Sequence, residues 1–207
     1  MIGRVDFTRA LAVSLLAALA LTAGSPGAQE SADELFQRGQ TWDLFLSGAK
    51  VQRALWLAAA DVELDPDVVA RFERASRNLR ILIVAEDWCP DSVNAVPYVA
   101  RLASTLSIPL RIVNRDVGAA LMARHRTPDG RVATPTVVLL RGSREVGAWV
   151  ERPAQLQAWF RSMATSPDSA RLFADRQTWY DADRGRTLLS ELTALAEQVV
   201  GSIRTPR

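Results

Sequence analysis

The chain has very few of the residues that most often carry chemistry or cross-links. Its 207 residues include one cysteine, Cys89, one histidine, His125, and one lysine, Lys50. A single cysteine excludes any disulfide within the chain. His125 has no cysteine or second histidine at a metal-ligand spacing, so we interpret it as a surface or helix-end residue. We therefore predict neither a metal site nor a haem or other cofactor.

A strong excess of charge is also missing. The chain has 25 basic and 23 acidic residues, a formal net charge of +2, and no long basic run. This composition does not indicate a nucleic-acid partner. The hydrophobic fraction of 48% is large enough for a packed core, and the length suits one domain with additions.

The first 28 residues have the composition of a targeting segment. Arg4 and Arg9 precede an apolar stretch over 10–23, and small residues with one proline follow over 24–28. This order is typical of a secretory signal peptide. The apolar stretch is shorter than the roughly 20 residues that a membrane span needs. We predict export to the periplasm or cell envelope, with no stable membrane span after cleavage; an uncleaved anchor is the alternative.

Cys89 lies where a strand is predicted to end and a helix to begin. The apolar run 79–85 is rich in branched side chains and predicts a buried parallel strand. After Cys89, apolar residues recur at steps of three, the stripe of an amphipathic helix: Val93, Val96, Val99 and Leu102. Pro90 suits the first helical position. A helix N-terminus favours the thiolate, which is the reactive form of cysteine.

The remaining periodicity predicts a mixture of helices and strands. Residues 31–60 are predicted to be helical with a break near Gly39 and Thr41, and Asp65 is predicted to cap a helix that starts at Pro66. Further helices are predicted over 118–125, 154–163 and 186–203, and strands over 108–113, 136–140 and 145–149. A further segment is predicted to begin at Ser166-Pro167-Asp168.

Several motifs together resemble the thioredoxin superfamily. Trp88-Cys89-Pro90-Asp91-Ser92 is similar to its active-site turn, and Ala133-Thr134-Pro135-Thr136 is similar to its cis-proline segment. More narrowly, the chain resembles a bacterial thioredoxin-like group with a Glu-Asp-Trp-Cys-x-Asp-[Ser/Ala] turn. The motifs that carry this narrower likeness are Asn114-Arg115-Asp116, Trp149-x-x-Arg152-Pro153 and Trp179-Tyr180-x-x-Asp183.

The resemblance implies a three-layer thioredoxin-like α/β fold, with a mixed central sheet and flanking helices. It also implies an N-terminal helical extension and a C-terminal helix. We divide the chain into a signal peptide (1–28), an N-terminal helical extension (29–78), a thioredoxin-like core (79–165) and a C-terminal helical segment packed on the core (166–207).

The resemblance also implies a set of site residues around Cys89. Ser92 stands where two-cysteine thioredoxins have their resolving cysteine, so a mixed disulfide at Cys89 would need an external thiol for release. We predict Cys89 and Ser92 as catalytic, with the Ser92 hydroxyl able to donate to the thiolate. The predicted substrate-binding residues are Trp88, Pro90, Thr134 and Pro135, with a cis peptide bond at Thr134–Pro135.

Acidic residues near Cys89 oppose the effect of the helix start. We interpret Asp87 and Asp91 as solvated loop acids, whose influence on the sulfur is weakened by screening, with polar contacts at the site as the alternative. Ile83 stands where many thioredoxins have a buried aspartate. We place Trp179 and Tyr180 in the core.

Two functions of different classes are compatible with these residues. The first is monothiol thiol–disulfide exchange with protein thiols or disulfides, and with a low-molecular-weight thiol as a further partner. The alternative is a non-catalytic binding module that holds a peptide or protein at the Pro135 edge. Cys89 could also be an inert buried cysteine or the link of a covalent homodimer.

Overall fold

The structure is a computed structural model that describes residues 30–60, 62–163 and 171–204. The predicted signal peptide lies outside the described residues. The start of the segment predicted at Ser166-Pro167-Asp168 lies outside them as well.

The centre of the fold is a four-stranded mixed sheet. Its strands are β1 (Leu79–Val84), β2 (Leu110–Val113), β3 (Thr136–Arg141) and β4 (Arg144–Val150), in the order β2-β1-β3-β4. β1 runs parallel to β2 and antiparallel to β3, and β3 pairs antiparallel with β4. β1 is thus a central strand, and it ends just before the turn that carries Cys89.

Nine helices are described around this sheet. They are α1 (Ala32–Arg38), α2 (Trp42–Gly48), α3 (Arg53–Ala60), α4 (Pro66–Ala75), α5 (Pro90–Thr105), α6 (Ala119–Arg124), α7 (Ala154–Met163), α8 (Leu172–Asp183) and α9 (Arg186–Arg204). The predicted N-terminal helix is interrupted twice, because a second break follows Gly48 and Gln52 has φ +54°. α8 has no counterpart among the predicted helices.

Local sequence explains where several of these helices start. The Ser31 hydroxyl accepts from the Glu34 N–H while the Glu34 carboxylate accepts from the Ser31 N–H, which forms a capping box at α1. Thr41 caps α2. Asp65 caps α4 and Pro66 occupies its first turn, as predicted.

The sheet separates two apolar cores. Alternate residues of β1 point to opposite faces, so Ile81 and Ile83 join one core while Leu82 and Val84 join the other. The larger core includes buried residues of α2 to α5 and α9, and the smaller one includes buried residues of α1 and α6. Helices on both faces of a mixed sheet confirm the predicted three-layer α/β fold, with additional helices at both ends.

An aromatic cluster fixes the N-terminal helices to the rest of the fold. The Phe45 and Trp56 rings meet edge to face with centroids 5.1 Å apart, and Trp42 lies against both. Phe45 and Trp56 are buried. Leu55 and Leu57 are 54% and 48% exposed, because α3 turns Trp56 to the core instead.

Across the described stretches of chain, no helix is both long enough and apolar enough to cross a bilayer.

Candidate functional site

Cys89 occupies the N-cap position of α5. Its backbone is extended, with φ −79° and ψ 118°, and Pro90 follows in the first turn. The Cys89 N–H donates to the Glu86 carbonyl, and the Cys89 carbonyl accepts from the Val93 N–H as the first bond of the helix. The sulfur therefore lies at the amino end of a 16-residue helix, where the helix dipole favours negative charge.

The segment before β3 faces this sulfur. The Thr134–Pro135 peptide bond is cis, as the sequence predicts. The Cys89 thiol donates to the Thr134 carbonyl oxygen, with 3.3 Å between Sγ and O. Thr134 is half-buried and Pro135 is buried. Two segments 45 residues apart in sequence thus meet at the sulfur.

Little of Cys89 is open to solvent. Cys89 retains 6% of its surface exposed, whereas the neighbouring Trp88 is 46% exposed. The Arg115 guanidinium carbon lies 5.9 Å from the centre of the Trp88 ring. A partner must therefore approach a sulfur that is largely covered, and the exposed indole belongs to the residue beside it.

Ser92 is completely buried, and its Oγ has no hydrogen-bond partner among the described residues. The expected hydrogen bond between this hydroxyl and the sulfur is not formed in this structure. The thiol donates instead to the Thr134 carbonyl. Pro90, the other residue predicted at this turn, is half-buried.

Asp91 is not a solvated acid, which corrects our interpretation of the sequence. It is only 5% exposed. Its carboxylate accepts from Arg152 Nη2 at 2.8 Å and from the Tyr180 hydroxyl at 2.9 Å, and Arg176 Nη1 lies 3.8 Å away. The partners are needed because burying a carboxylate without a compensating charge is costly.

Tyr180 acts as a fixed hydrogen-bond donor to Asp91. The residue is buried, as predicted, while Trp179 beside it is half-buried. Burial, with the adjacent Asp91 carboxylate, raises the pKa of Tyr180 far above its ordinary value. The phenol therefore stays protonated and donates to Asp91 throughout the working pH range.

Glu151 links Arg152, the partner of Asp91, to the cis-proline segment. Its carboxylate pairs with Arg152 at 2.8 Å and with Arg131 at 2.7 Å. Its N–H donates to the Pro135 carbonyl at 2.7 Å, and its φ of +68° places it in the left-handed region that side chains seldom adopt. The turn after β4 is thus held between Asp91 and Pro135.

Asp87 is also tied into the structure rather than solvated, which corrects the same interpretation. Its carboxylate accepts from the N–H groups of Lys50 and Val51, at 2.7 and 3.0 Å. Its carbonyl accepts from Trp56 Nε1 at 2.9 Å, and the Gln52 amide donates to the Trp88 carbonyl at 2.8 Å. The connection between α2 and α3 therefore supports the turn that carries Cys89.

Two further sequence predictions concern residues away from the sulfur. His125 lies at the C-terminal end of α6, and its Nε2 is 2.5 Å from Glu145 Oε2. Ile83 is buried in the larger core. In the part of the chain that the structure describes, no group of three or more His, Cys, Asp or Glu side chains is arranged to hold a metal ion.

Sequence reasoning overlooked the functional interest of three residues, Arg152, Arg176 and Tyr180, and it favoured a solvated Asp91. Arg152 and Tyr180 belong to the motifs Trp149-x-x-Arg152-Pro153 and Trp179-Tyr180-x-x-Asp183, which gave no role to either residue. The only sign of the buried ion pair between Asp91 and Arg152 was an acid in the first turn of a helix whose other residues are mostly apolar. Arg176 carried no signal of its own.

A cysteine at a helix N-cap that faces a cis-proline segment, beside a sheet of order β2-β1-β3-β4, defines a thioredoxin-like protein. A family model described as thioredoxin matches residues 39–166, which is more than half of the chain. The chain belongs to the thioredoxin family. The match begins within the segment that the sequence-based division assigns to an N-terminal extension.

Two solved structures are similar to the chain, each with a TM-score of 0.65. One is a protein of unknown function from Pseudomonas aeruginosa with 20% identity, and the other is an HIV epitope-scaffold with 21% identity. Each alignment covers 82% of this chain and 99% of the other. At these identities the likeness shows the fold alone. No curated protein matches the chain.

Proposed function

We propose that this protein is an exported monothiol member of the thioredoxin family that performs thiol–disulfide exchange through Cys89. It belongs, on this proposal, to the bacterial group with a Glu-Asp-Trp-Cys-x-Asp-[Ser/Ala] turn. The observation that carries the proposal is the position of Sγ at the start of α5, 3.3 Å from the Thr134 carbonyl of the cis-proline segment. The predicted signal peptide supports a periplasmic or cell-envelope location.

The reaction has two steps of sulfur exchange. The Cys89 thiolate attacks one sulfur of a partner disulfide, a new S–S bond forms at Cys89, and the other partner sulfur leaves as a thiolate that takes up a proton. Ser92 has no sulfur with which to displace the partner. An external thiolate therefore attacks the mixed disulfide, forms a disulfide with the partner and leaves Cys89 as a thiolate.

The cis-proline segment supplies a place for the partner's backbone. Within the described residues, no hydrogen bond uses the Thr134 N–H. An extended peptide beside this residue can pair with its backbone, in the way that an added strand binds a sheet edge. Trp88 offers an exposed aromatic surface next to the sulfur. Protein thiols or disulfides fit this arrangement, and a small thiol such as glutathione fits the release step.

The proposal is tested by turnover of a cysteine peptide that carries a mixed disulfide, with reduced glutathione as the only reductant. We expect the wild-type protein to accelerate peptide release and Cys89→Ser to abolish the acceleration. Cys89→Ser nearly preserves the size of the side chain and keeps a donor for the Thr134 carbonyl. Equal rates for the two proteins would refute the exchange function.

The alternative is a binding module, and the absence of a resolving thiol at Ser92 favours it. On this alternative, a peptide binds the cis-proline segment without covalent chemistry. Binding to an immobilised peptide would then have the same affinity in wild type and Cys89→Ser, and it would survive in the presence of excess reductant.

A further inference from the structure

Four buried side chains meet beside the active-site turn, and we call them the Asp91 cluster: Asp91, Arg152, Arg176 and Tyr180. We propose that the Asp91 cluster is a positioning and charge-compensating device that sets how readily Cys89 forms its thiolate. This inference rests on the proposed function, because it concerns the same sulfur.

The cluster joins three separate parts of the chain beside the turn that carries Cys89. Asp91 lies in the first turn of α5, two residues after Cys89, which corresponds to a rise of about 3 Å along the helix. Arg152 comes from the turn after β4, and Arg176 and Tyr180 come from α8. The neighbouring Glu151 N–H donates to the Pro135 carbonyl. One carboxylate thereby connects the cysteine turn with the segment that faces the sulfur.

Charge compensation is the second role of the cluster. A lone carboxylate two residues from Cys89 would disfavour a second negative charge on the sulfur. Both guanidinium groups lie against Asp91 Oδ2, and all three side chains are at least nine-tenths buried, where screening by solvent is weak. The two arginines thus offset the carboxylate that the helix start carries.

Positive and negative charges balance in and beside this cluster, because Arg152 and Arg176 face the carboxylates of Asp91 and Glu151. Arg152 divides its guanidinium between Asp91 and Glu151, whereas Arg176 pairs with Asp91 at 3.8 Å. The Nε atoms of both arginines are buried without a hydrogen-bond partner among the described residues. The guanidinium groups also lie over aromatic rings, Arg152 over Phe160 at 3.9 Å and Arg176 over Phe173 at 5.3 Å.

Other charged groups around Cys89 are already engaged. The Glu86 carboxylate accepts from the Arg115 N–H, and Asp87 accepts from two backbone N–H groups. The titratable and charged residues of the turn and of the segments bonded to it are Lys50, Glu86, Asp87, Asp91, Arg115, Arg131, Glu151, Arg152, Arg176 and Tyr180. Tyr180 contributes no charge, because its raised pKa keeps it protonated.

The test is the rate at which iodoacetamide alkylates Cys89 between pH 5 and 10 in the full folded chain. We expect Arg176→Gln to move the midpoint of the profile upward by about 0.5 to 1 pH unit and to slow alkylation at pH 7 about three- to tenfold. Arg176→Lys keeps the charge, so its profile should stay near wild type. Asp91→Asn should move the midpoint downward, and the double variant should return it toward wild type.

The opposite shifts expected for Arg176→Gln and Asp91→Asn distinguish an effect of charge from an effect of packing. A cluster that only holds the fold together would change alkylation in the same direction in Arg176→Gln and Asp91→Asn, or equally in Arg176→Gln and Arg176→Lys, and either result would overturn the inference. If Asp91→Asn does not fold, the comparison of Gln with Lys at position 176 still decides. An unreactive wild-type Cys89, beside a reactive denatured chain, would instead refute the proposed function.

Discussion

The thiol of Cys89 donates a hydrogen bond to the carbonyl oxygen of Thr134, across 3.3 Å and 45 residues of sequence. This contact brings the start of α5 and the cis-proline segment to one place. It also means that deprotonation of the sulfur removes the donor, so the hydrogen bond to Thr134 is lost once the thiolate forms.

A cysteine introduced at position 92 is expected to supply the missing second thiol. Ser92 lies in the first turn of α5, three residues after Cys89, and is fully buried. In the Ser92→Cys variant, the introduced thiol should attack the mixed disulfide, form an internal disulfide with Cys89 and release the partner. Intact-mass spectrometry should show that the adduct disappears and is replaced by a species two hydrogens lighter than the reduced variant.

The control for that experiment is Ser92→Ala, which removes the hydroxyl without adding sulfur. It should accumulate the mixed disulfide as the wild-type protein does. Persistence of the adduct in Ser92→Cys would show that a thiol at position 92 cannot approach the Cys89 sulfur.

The link between the N-terminal helices and the cysteine turn should be measurable at Trp56. Trp56→Phe keeps most of the buried ring but removes the donor to the Asp87 carbonyl. We expect a loss of about 1–2 kcal/mol in the free energy of unfolding, the usual cost of a buried hydrogen bond with some lost packing. Urea denaturation measures it.

Trp42→Phe is the matched control, because Trp42 is half-buried and its indole N–H has no hydrogen-bond partner among the described residues. A smaller loss at Trp42 than at Trp56 is expected. Equal losses would mean that ring packing alone, rather than the bond to Asp87, supports the turn.

Gly185, between α8 and α9, cannot accept a side chain. Its φ is +75°, and a Cβ there would lie 2.3 Å from the Tyr98 ring. Gly142 also has a positive φ, +59°, but its Cβ would meet nothing within 4 Å. Gly142→Ala should therefore cost about 1 kcal/mol from backbone strain alone, and Gly185→Ala about 2–4 kcal/mol from strain and overpacking. Thermal or urea unfolding compares the two, and similar costs would contradict the close approach to Tyr98.

Lowering the pH should destabilise the folded state through Asp129, which lies in the loop before the cis-proline segment. The Arg131 side chain, with help from Thr127, lowers the pKa of Asp129 from 3.8 to about 2. A carboxyl whose pKa is lower in the folded state stabilises that state above its unfolded pKa, and this contribution is lost as pH falls from about 4 to 2. An NMR titration of the Asp129 carboxyl should show a midpoint near 2.

Asp129→Asn provides the stability comparison. The difference in unfolding free energy between wild type and this variant should shrink as pH falls from about 4 to 2. A carboxyl midpoint at the ordinary value for aspartate, or a difference that does not change with pH, would show that the Arg131 contact does not persist in solution.

Local sequence determined much of the fold. The Asp65-Pro66 pair places the start of α4, and the apolar steps after Pro90 place α5, because caps and periodicity depend on neighbouring residues only. The position of the Cys89 sulfur and the cis Thr134–Pro135 peptide bond were predicted from two separate motifs. Only the resemblance to the thioredoxin superfamily indicated that these two motifs face each other.

The environment of Asp91 could not be predicted in the same way. Whether an acid in a first helical turn faces water depends on what packs against it, and here the partners are 61 and 89 residues away in sequence. The orientation of α3 could not be predicted for a similar reason. Leu55, Trp56 and Leu57 are all apolar, and only the contact between the Trp56 indole and Asp87 decides which of them is buried.

The most direct measurement of the central claim is intact-mass spectrometry of the folded protein after exposure to glutathione disulfide. Cys89 should gain one glutathionyl group, keep it when the disulfide is removed, and lose it on addition of reduced glutathione. A folded chain that gains no adduct, under conditions in which the denatured chain gains one, would contradict the claim that Cys89 is an exchanging thiol.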